Sequence, residues 1–98
     1  MEKVTKPNVK LLASGTNLEA KQMQANAGDL LPKHIANMES ILFIQEGECI
    51  LNINGEEKPL KKGEAFIVPP ETKHHIKVVT KFKGIHFMPK EIEFQFFK

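Results

Sequence analysis

The sequence predicts an all-β domain, an antiparallel barrel or jelly roll of short strands. Three observations indicate this: apolar and polar residues alternate along much of the chain, turn-forming Gly and Pro separate the alternating runs roughly every 8 to 12 residues, and helical spacing has little support. Short strands joined by tight turns are typical of β-sandwiches and barrels. A chain of 98 residues has room for about one small domain, so we take residues 1–98 as that domain.

The first predicted strands lie between residues 18 and 53. Residues 18–24 have helix-forming composition, but the neighbouring strands favour a strand here as well. Residues 40–45 are rich in β-branched and aromatic side chains and end at the turn-like Glu46-Gly47-Glu48. Residues 49–53 alternate and lead into Asn54-Gly55, a pair that tolerates the positive φ angles of a type I′ turn. The last of these strands therefore begins a hairpin.

The second half of the chain continues the pattern. A turn at residues 60–63 leads into a strand at 65–68, which two prolines end. Residues 75–83 predict one more strand, with 84–88 as its continuation or partner, and apolar residues alternate again from Ile92 to the end. The predicted core consists of Leu42, Ile44, Leu51, Ile53, Phe66, Val68, Ile76 and Val78.

Composition excludes several classes of protein. The net charge is +2, and the 14 basic residues are spread among 12 acidic ones, which argues against a nucleic-acid partner. The apolar runs are far shorter than the roughly 20 residues that cross a bilayer, and we find no secretory signal, so we expect a cytoplasmic protein with no membrane partner. Cys49 is the only cysteine, which excludes an intrachain disulfide.

Two groups of residues share the spacing of a known pair of motifs. The first group is Gly28, His34, Ala36, Ser40 and Gly47, and the second is Gly63, Pro69, Glu71, His74 and Val78. Their spacing resembles the two motifs of the cupin family, G-x5-H-x-H followed by E and G, and G-x5-P-x-G-x2-H-x3-N. The resemblance covers residues 28–78 and implies a small cupin β-barrel, completed by the flanking strands.

The departures from these motifs concern the metal site. In the family, two His and a Glu of the first motif and a His of the second hold a divalent metal. This chain matches them with His34 and His74 only, because Ala36 and Ser40 replace a ligand His and the ligand Glu, and Val78 replaces an Asn. A bound transition metal usually has about three protein ligands, so the resemblance implies a partly dismantled metal site.

Two residues are candidates for the missing ligand. Glu39 lies one residue before the family carboxylate, and strand alternation should turn it outward. His86 is the better candidate, because alternation sends Phe82, Gly84 and His86 to the interior. A metal ligand set of His34, His74 and His86 would suit a divalent transition metal such as Zn, Fe, Ni, Mn or Cu.

The leading hypothesis is a cupin that binds a small molecule in its barrel. The expected ligand-binding residues are His34, Ala36, Ser40, Leu42, His74 and Ile76. Gln22 and Gln24 could also face the cavity if their segment is a strand, but exposure to solvent explains these glutamines as well or better. We assign no catalytic residue, since Ser40 has no acid-base partner at a recognisable spacing. A metal-dependent enzyme of isomerase or dioxygenase type, and a sensing or interaction module without catalysis, stay open as alternatives.

The C-terminal residues predict a homodimer. From Glu91 to Phe97 charged or amide side chains alternate with large apolar ones. A barrel this small has little room for all the terminal Phe side chains, and each buried Phe is worth roughly 1.5–3 kcal/mol. A second subunit would cover them together with the exposed strand edge. The alternative is that the tail folds back over its own barrel.

Overall fold

The chain folds as ten β-strands in a computed structural model that describes residues 4–97. No helix long and apolar enough to span a membrane occurs among these residues. The strands are β1 (Asn8–Ser14), β2 (Leu18–Ala25), β3 (His34–Ala36), β4 (Ser40–Glu46), β5 (Glu48–Ile53), β6 (Glu56–Lys61), β7 (Ala65–Val68), β8 (His74–Val78), β9 (Phe82–Pro89) and β10 (Phe94–Phe96).

The strands form two five-stranded sheets. One has the order β1-β2-β9-β4-β7 and the other β10-β3-β8-β5-β6, and every pair of named strands is antiparallel. Residues 18–24, for which helix and strand were both considered, lie in β2, as the neighbouring strands favoured. The all-β jelly-roll prediction is therefore confirmed.

The core lies between the two sheets. Ile44 from one sheet and Leu51 from the other are fully buried and belong to a single apolar cluster. Of the eight predicted core residues, seven are buried, and Phe66 is half-buried and packs against the cluster. These residues recur at every second position of their strands, so they share the inward face of each strand.

Of the four described glycines with positive φ, Gly55 and Gly47 lie at turns between consecutive strands. Asn54 and Gly55 have φ angles of 53° and 74°, as expected for the hairpin that joins β5 to β6. Gly47, with φ of 82°, lies where the chain leaves one sheet for the other. A Cβ at Gly47 would collide with the carbonyl oxygen of Lys81, so this crossing depends on the absence of a side chain.

The prediction of one strand over residues 75–83 is wrong. These residues belong to β8 and β9, which lie in different sheets. Between the strands, the backbone N–H groups of Val79 and Thr80 both donate to the carbonyl oxygen of Glu48, at 2.9 and 3.2 Å. The N–H of Glu48 in turn donates to Thr80 Oγ1 at 2.9 Å. These long-range bonds interrupt the strand and turn the chain toward the opposite sheet.

The C-terminal strand pairs with its own chain. Strand β10 runs antiparallel to β3, with Phe94 opposite Ala36 and Phe96 opposite His34. This is the arrangement considered as the alternative to a tail packed on a second subunit. Phe94 is half-buried, whereas Phe96 keeps 62% of its surface exposed, so the homodimer stays a prediction.

Candidate functional site

A cavity of about 630 Å³ lies between the two sheets, within the usual range for small-molecule sites. Its walls come from strands of both sheets, so the jelly roll itself forms the pocket. The apolar wall residues are Pro7, Val9, Met23, Leu31, Pro32, Leu42, Leu51, Val68, Ile76, Met88, Phe94 and Phe96. The polar ones are Lys6, Lys21, His34, His74 and His86.

His34 and His74 form a pair at one wall of the cavity. They lie opposite each other on β3 and β8, and their ring centroids are 4.3 Å apart with the planes at 65°. Nδ1 of His34 is 3.2 Å from the carbonyl oxygen of Pro32, and Nδ1 of His74 is 2.9 Å from that of Thr72. A carbonyl oxygen only accepts, so both Nδ1 atoms carry the proton. Each Nε2 atom therefore presents a lone pair, which can accept a hydrogen bond or bind a metal.

His86 faces the same cavity from the other sheet. Phe82 and Gly84 are buried on the same face of β9, which confirms the alternation predicted through the glycine. Nε2 of His86 lies 2.7 Å from Oγ of the buried Ser40. Sequence spacing did not predict this partner, because the two residues are 46 positions apart. The available signal was that both positions were expected to point inward.

The three imidazoles are neutral at pH 7. Burial lowers the pKa of His34, and the nearby His74 lowers it further. Burial also lowers the pKa of His74. For His86, burial and then repulsion of its protonated ring by protonated His34 and His74 and by Lys21 lower the pKa to about 4. The cavity therefore offers neutral hydrogen-bonding rings and leaves its positive charge to lysine.

The described residues do not assemble a metal centre. Within residues 4–97, no three His, Cys, Asp or Glu side chains are placed so that they could hold an ion together. His34 and His74 provide two suitable Nε2 atoms, but Nε2 of His86 is engaged with Ser40. Glu39 is exposed, as alternation predicted. The residues present fit a pair of hydrogen-bond acceptors better than a three-ligand site.

Four of the six expected ligand-binding residues line the cavity. They are His34, Leu42, His74 and Ile76. Ala36 and Ser40 are buried but are not part of the wall. Ala36 lies opposite Phe94, and Ser40 reaches the site only through its contact with His86.

The cavity also has walls that sequence reasoning missed. Lys21 comes from β2, and Phe94 and Phe96 come from β10. Of the two interpretations open for Gln22 and Gln24, cavity contact does not hold, because Lys21 and Met23 line the cavity and the two glutamines do not. Gln22 instead donates from Nε2 to Oε1 of Gln45, at 2.7 Å.

Two comparisons with solved structures show the fold. A cupin superfamily protein of Desulfitobacterium hafniense superposes with a TM-score of 0.78 at 15% identity, over 89% of this chain and 80% of that one. A salicylate 1,2-dioxygenase of Pseudoaminobacter salicylatoxidans, solved as adducts with gentisate, superposes with a TM-score of 0.81 at 17% identity. That match covers 96% of this chain but 30% of the dioxygenase.

Sequence comparison identifies the family. An uncharacterized protein of Methanocaldococcus jannaschii is 38% identical over 47 residues, which are 48% of this chain and 37% of that protein. Residues 19–85 match the family model of the cupin domain, well over half of the chain. With its jelly roll and its paired histidines at the motif positions, the chain belongs to the cupin family.

Proposed function

We propose that this protein binds a small molecule in its barrel, with His34 and His74 as polar anchors. The observation that carries the proposal is that both rings donate Nδ1–H to backbone carbonyls, which leaves each Nε2 as an acceptor at a cavity whose wall is mostly apolar. Specific small-molecule sites commonly combine apolar walls with a few convergent polar groups. A dioxygenase neighbour of the same fold, solved as adducts with gentisate, is consistent with this proposal.

The two histidines determine which chemical groups the ligand must carry. Because each Nε2 can only accept, the ligand needs a hydroxyl or N–H group that donates to one or both rings. Leu42, Leu51 and Ile76 line the cavity nearby and require an apolar body. An apolar molecule with one buried donor satisfies both conditions.

A pair of matched probes tests the anchors. Calorimetry should show that 4-propylphenol binds about fivefold more tightly than 4-propylanisole, because methylation removes one neutral hydrogen bond worth about 1 kcal/mol. In a His34→Phe/His74→Phe double variant, which keeps aromatic rings but removes the acceptors, the two probes should bind alike. His75→Gln is the control, since His75 does not line the cavity. Equal binding of the two probes to the unmodified protein would contradict the proposal.

A second candidate function is a metal-dependent cupin enzyme. The observation that favours it is the tautomer of His34 and His74, because metal-binding histidines commonly donate their other ring N–H to a backbone carbonyl. The third ligand would be His86, which would have to exchange its contact with Ser40. A metal there would supply a Lewis acid or a redox centre, as dioxygenase or isomerase chemistry requires.

Metal analysis separates this candidate from the first. After chelation, the protein is reconstituted separately with Zn, Fe, Ni, Mn and Cu salts. An enzyme of this type should retain one equivalent of metal and lose it in a His34→Ala/His74→Ala double variant. Ser40→Ala should raise the metal affinity, because it releases Nε2 of His86. Less than a tenth of an equivalent with every metal would exclude this function.

We also propose that the protein is a homodimer in which the C-terminal strand contributes to the interface. Phe96 is 62% exposed on the single chain, although its neighbour Phe94 packs against the barrel. Sedimentation equilibrium should find a dimer for residues 1–98 and a monomer for a chain that ends at Lys90. A monomeric full-length chain, or a shortened chain that dimerises with unchanged affinity, would contradict this proposal.

A further inference from the structure

We infer that the ligand of this cavity is a small carboxylate with an apolar body, and that the ammonium group of Lys21 binds its charged end. The inference rests on the proposed function, since it concerns the same cavity, and it adds the charge of the ligand. It comes from the ionisable side chains of the wall and from the position of Lys21 among them.

Every ionisable side chain in the described wall of the cavity is basic. Two are lysines and three are histidines, and no Asp or Glu belongs to the wall formed by residues 4–97. The remaining wall residues are apolar. Because the three imidazoles are neutral at pH 7, Lys6 and Lys21 carry the positive charge. The charges of the two lysines would attract an anion and repel a cation.

Lys21 is the lysine that is best placed to reach a ligand. It lies on β2 directly opposite His86 of β9, and its charge is one of the causes that lower the pKa of His86. The ammonium therefore acts on the imidazole cluster. The Lys21 side chain is 41% exposed, which places it at the solvent boundary of the cavity. A bound carboxylate there would keep part of its hydration, while the ligand's apolar body fills the interior.

Glu19 competes for the same ammonium. Its Oε1 atom lies 3.7 Å from Nζ of Lys21, and its side chain is only 18% exposed. This is a loose ion pair, and a lysine ammonium has three N–H donors, so Lys21 keeps the capacity to bind a second carboxylate. The negative charge of Glu19 nevertheless weakens the attraction for an anion.

The sum of these charges favours a monoanion. The wall lysines Lys6 and Lys21 carry two positive charges, and Glu19 beside Lys21 offsets one of them. A carboxylate would balance the remaining positive charge. A phosphate dianion would bring a second charge into walls that are mostly apolar, and an uncompensated charge is costly to bury.

Calorimetry with two isosteric probes tests the inference. The probes are 3-(4-hydroxyphenyl)propanoate and its uncharged amide, which share an apolar body and a phenolic donor. The propanoate should bind about tenfold more tightly, as expected for one charge-assisted hydrogen bond. Lys21→Met should abolish this preference, whereas Glu19→Gln should increase it about threefold by releasing the ammonium. Lys10→Met, at an exposed position of β1 outside the wall, should leave it unchanged.

The outcomes separate this inference from the proposed function. If the two probes bind with equal affinity, the inference that the ligand is negatively charged is wrong, but the proposal of small-molecule binding stands. If the preference for the propanoate survives Lys21→Met, the role of Lys21 is wrong. If neither probe binds and 4-propylphenol does not bind either, both the inference and the proposed function fail. Opposite effects of Lys21→Met and Glu19→Gln on the propanoate, with no effect on the amide, would support the inference, because structural damage would not act in two directions.

Discussion

Acidification should destabilise the protein through the imidazoles of its cavity. The pKa of His86 is about 4 in the folded chain, compared with an ordinary value of 6.5. Above pH 6.5 the ring is neutral whether the chain is folded or unfolded, so stability does not depend on it. Below pH 6.5 the unfolded chain binds a proton that the folded chain does not, and stability therefore falls until the pH reaches about 4.

The size of this loss follows from the pKa difference. Each pH unit between the two pKa values is worth about 1.4 kcal/mol, so His86 alone should cost about 3 kcal/mol between pH 6.5 and pH 4. His34 and His74 act in the same direction, because their pKa values are also lowered. A loss of this size is a large fraction of the 5–15 kcal/mol that typically stabilise a domain.

Urea unfolding followed by far-ultraviolet circular dichroism measures the effect. This signal is suitable because the chain has no Trp and no Tyr. His86→Gln should lose about 3 kcal/mol less than the unmodified protein between pH 7 and pH 4, since glutamine does not titrate. The control His75→Gln removes a histidine that does not line the cavity and should leave the contribution of the cavity imidazoles intact. If His86→Gln and the unmodified protein lost the same free energy of unfolding, the account of the buried imidazoles would be refuted.

Two further predictions concern the free energy of unfolding at pH 7, measured by the same urea titration. Gly47→Ala should cost about 3 kcal/mol, because the new Cβ meets the carbonyl oxygen of Lys81. Gly55→Ala, with open space around its Cβ, should cost only about 1 kcal/mol for its positive φ. Equal costs would contradict the tight crossing at Gly47. Ser40→Ala should cost about 1–2 kcal/mol, because it leaves Nε2 of the half-buried His86 without its partner. An unchanged stability would show that this hydrogen bond contributes nothing.

The strands and the core were predictable from the sequence because strand alternation marks the buried face. Leu42 and Ile44 on β4, and Leu51 and Ile53 on β5, alternate with more exposed residues and are all buried. The same reasoning placed His86 in the interior, across a glycine where alternation often fails. In β5 the outer face carries Glu48 and Asn52, so polarity marks its buried face clearly, whereas the outer face of β4 carries Ile41 and Phe43.

Other features depend on contacts that the sequence does not display. In β2 both faces mix polar and apolar residues. Nothing in the sequence therefore indicated that Lys21 faces the cavity and that Gln22 and Gln24 do not. The end of β8 is set by hydrogen bonds to Glu48, about 30 residues earlier. The Ser40–His86 contact joins neighbouring strands of one sheet, and only the order of strands in that sheet brings the two residues together.

The most direct test of the account is the protonation of the histidine rings, with and without a ligand. Long-range ¹H–¹⁵N correlation spectra at pH 7 should show His34 and His74 as the neutral Nδ1–H tautomer. Addition of 4-propylphenol should shift the ¹⁵N resonances of their Nε2 atoms, as expected when a lone pair accepts a hydrogen bond. A proton on Nε2 of either ring in the free protein, or Nε2 resonances that do not respond to the phenol, would contradict the claim that these histidines anchor a ligand in the barrel.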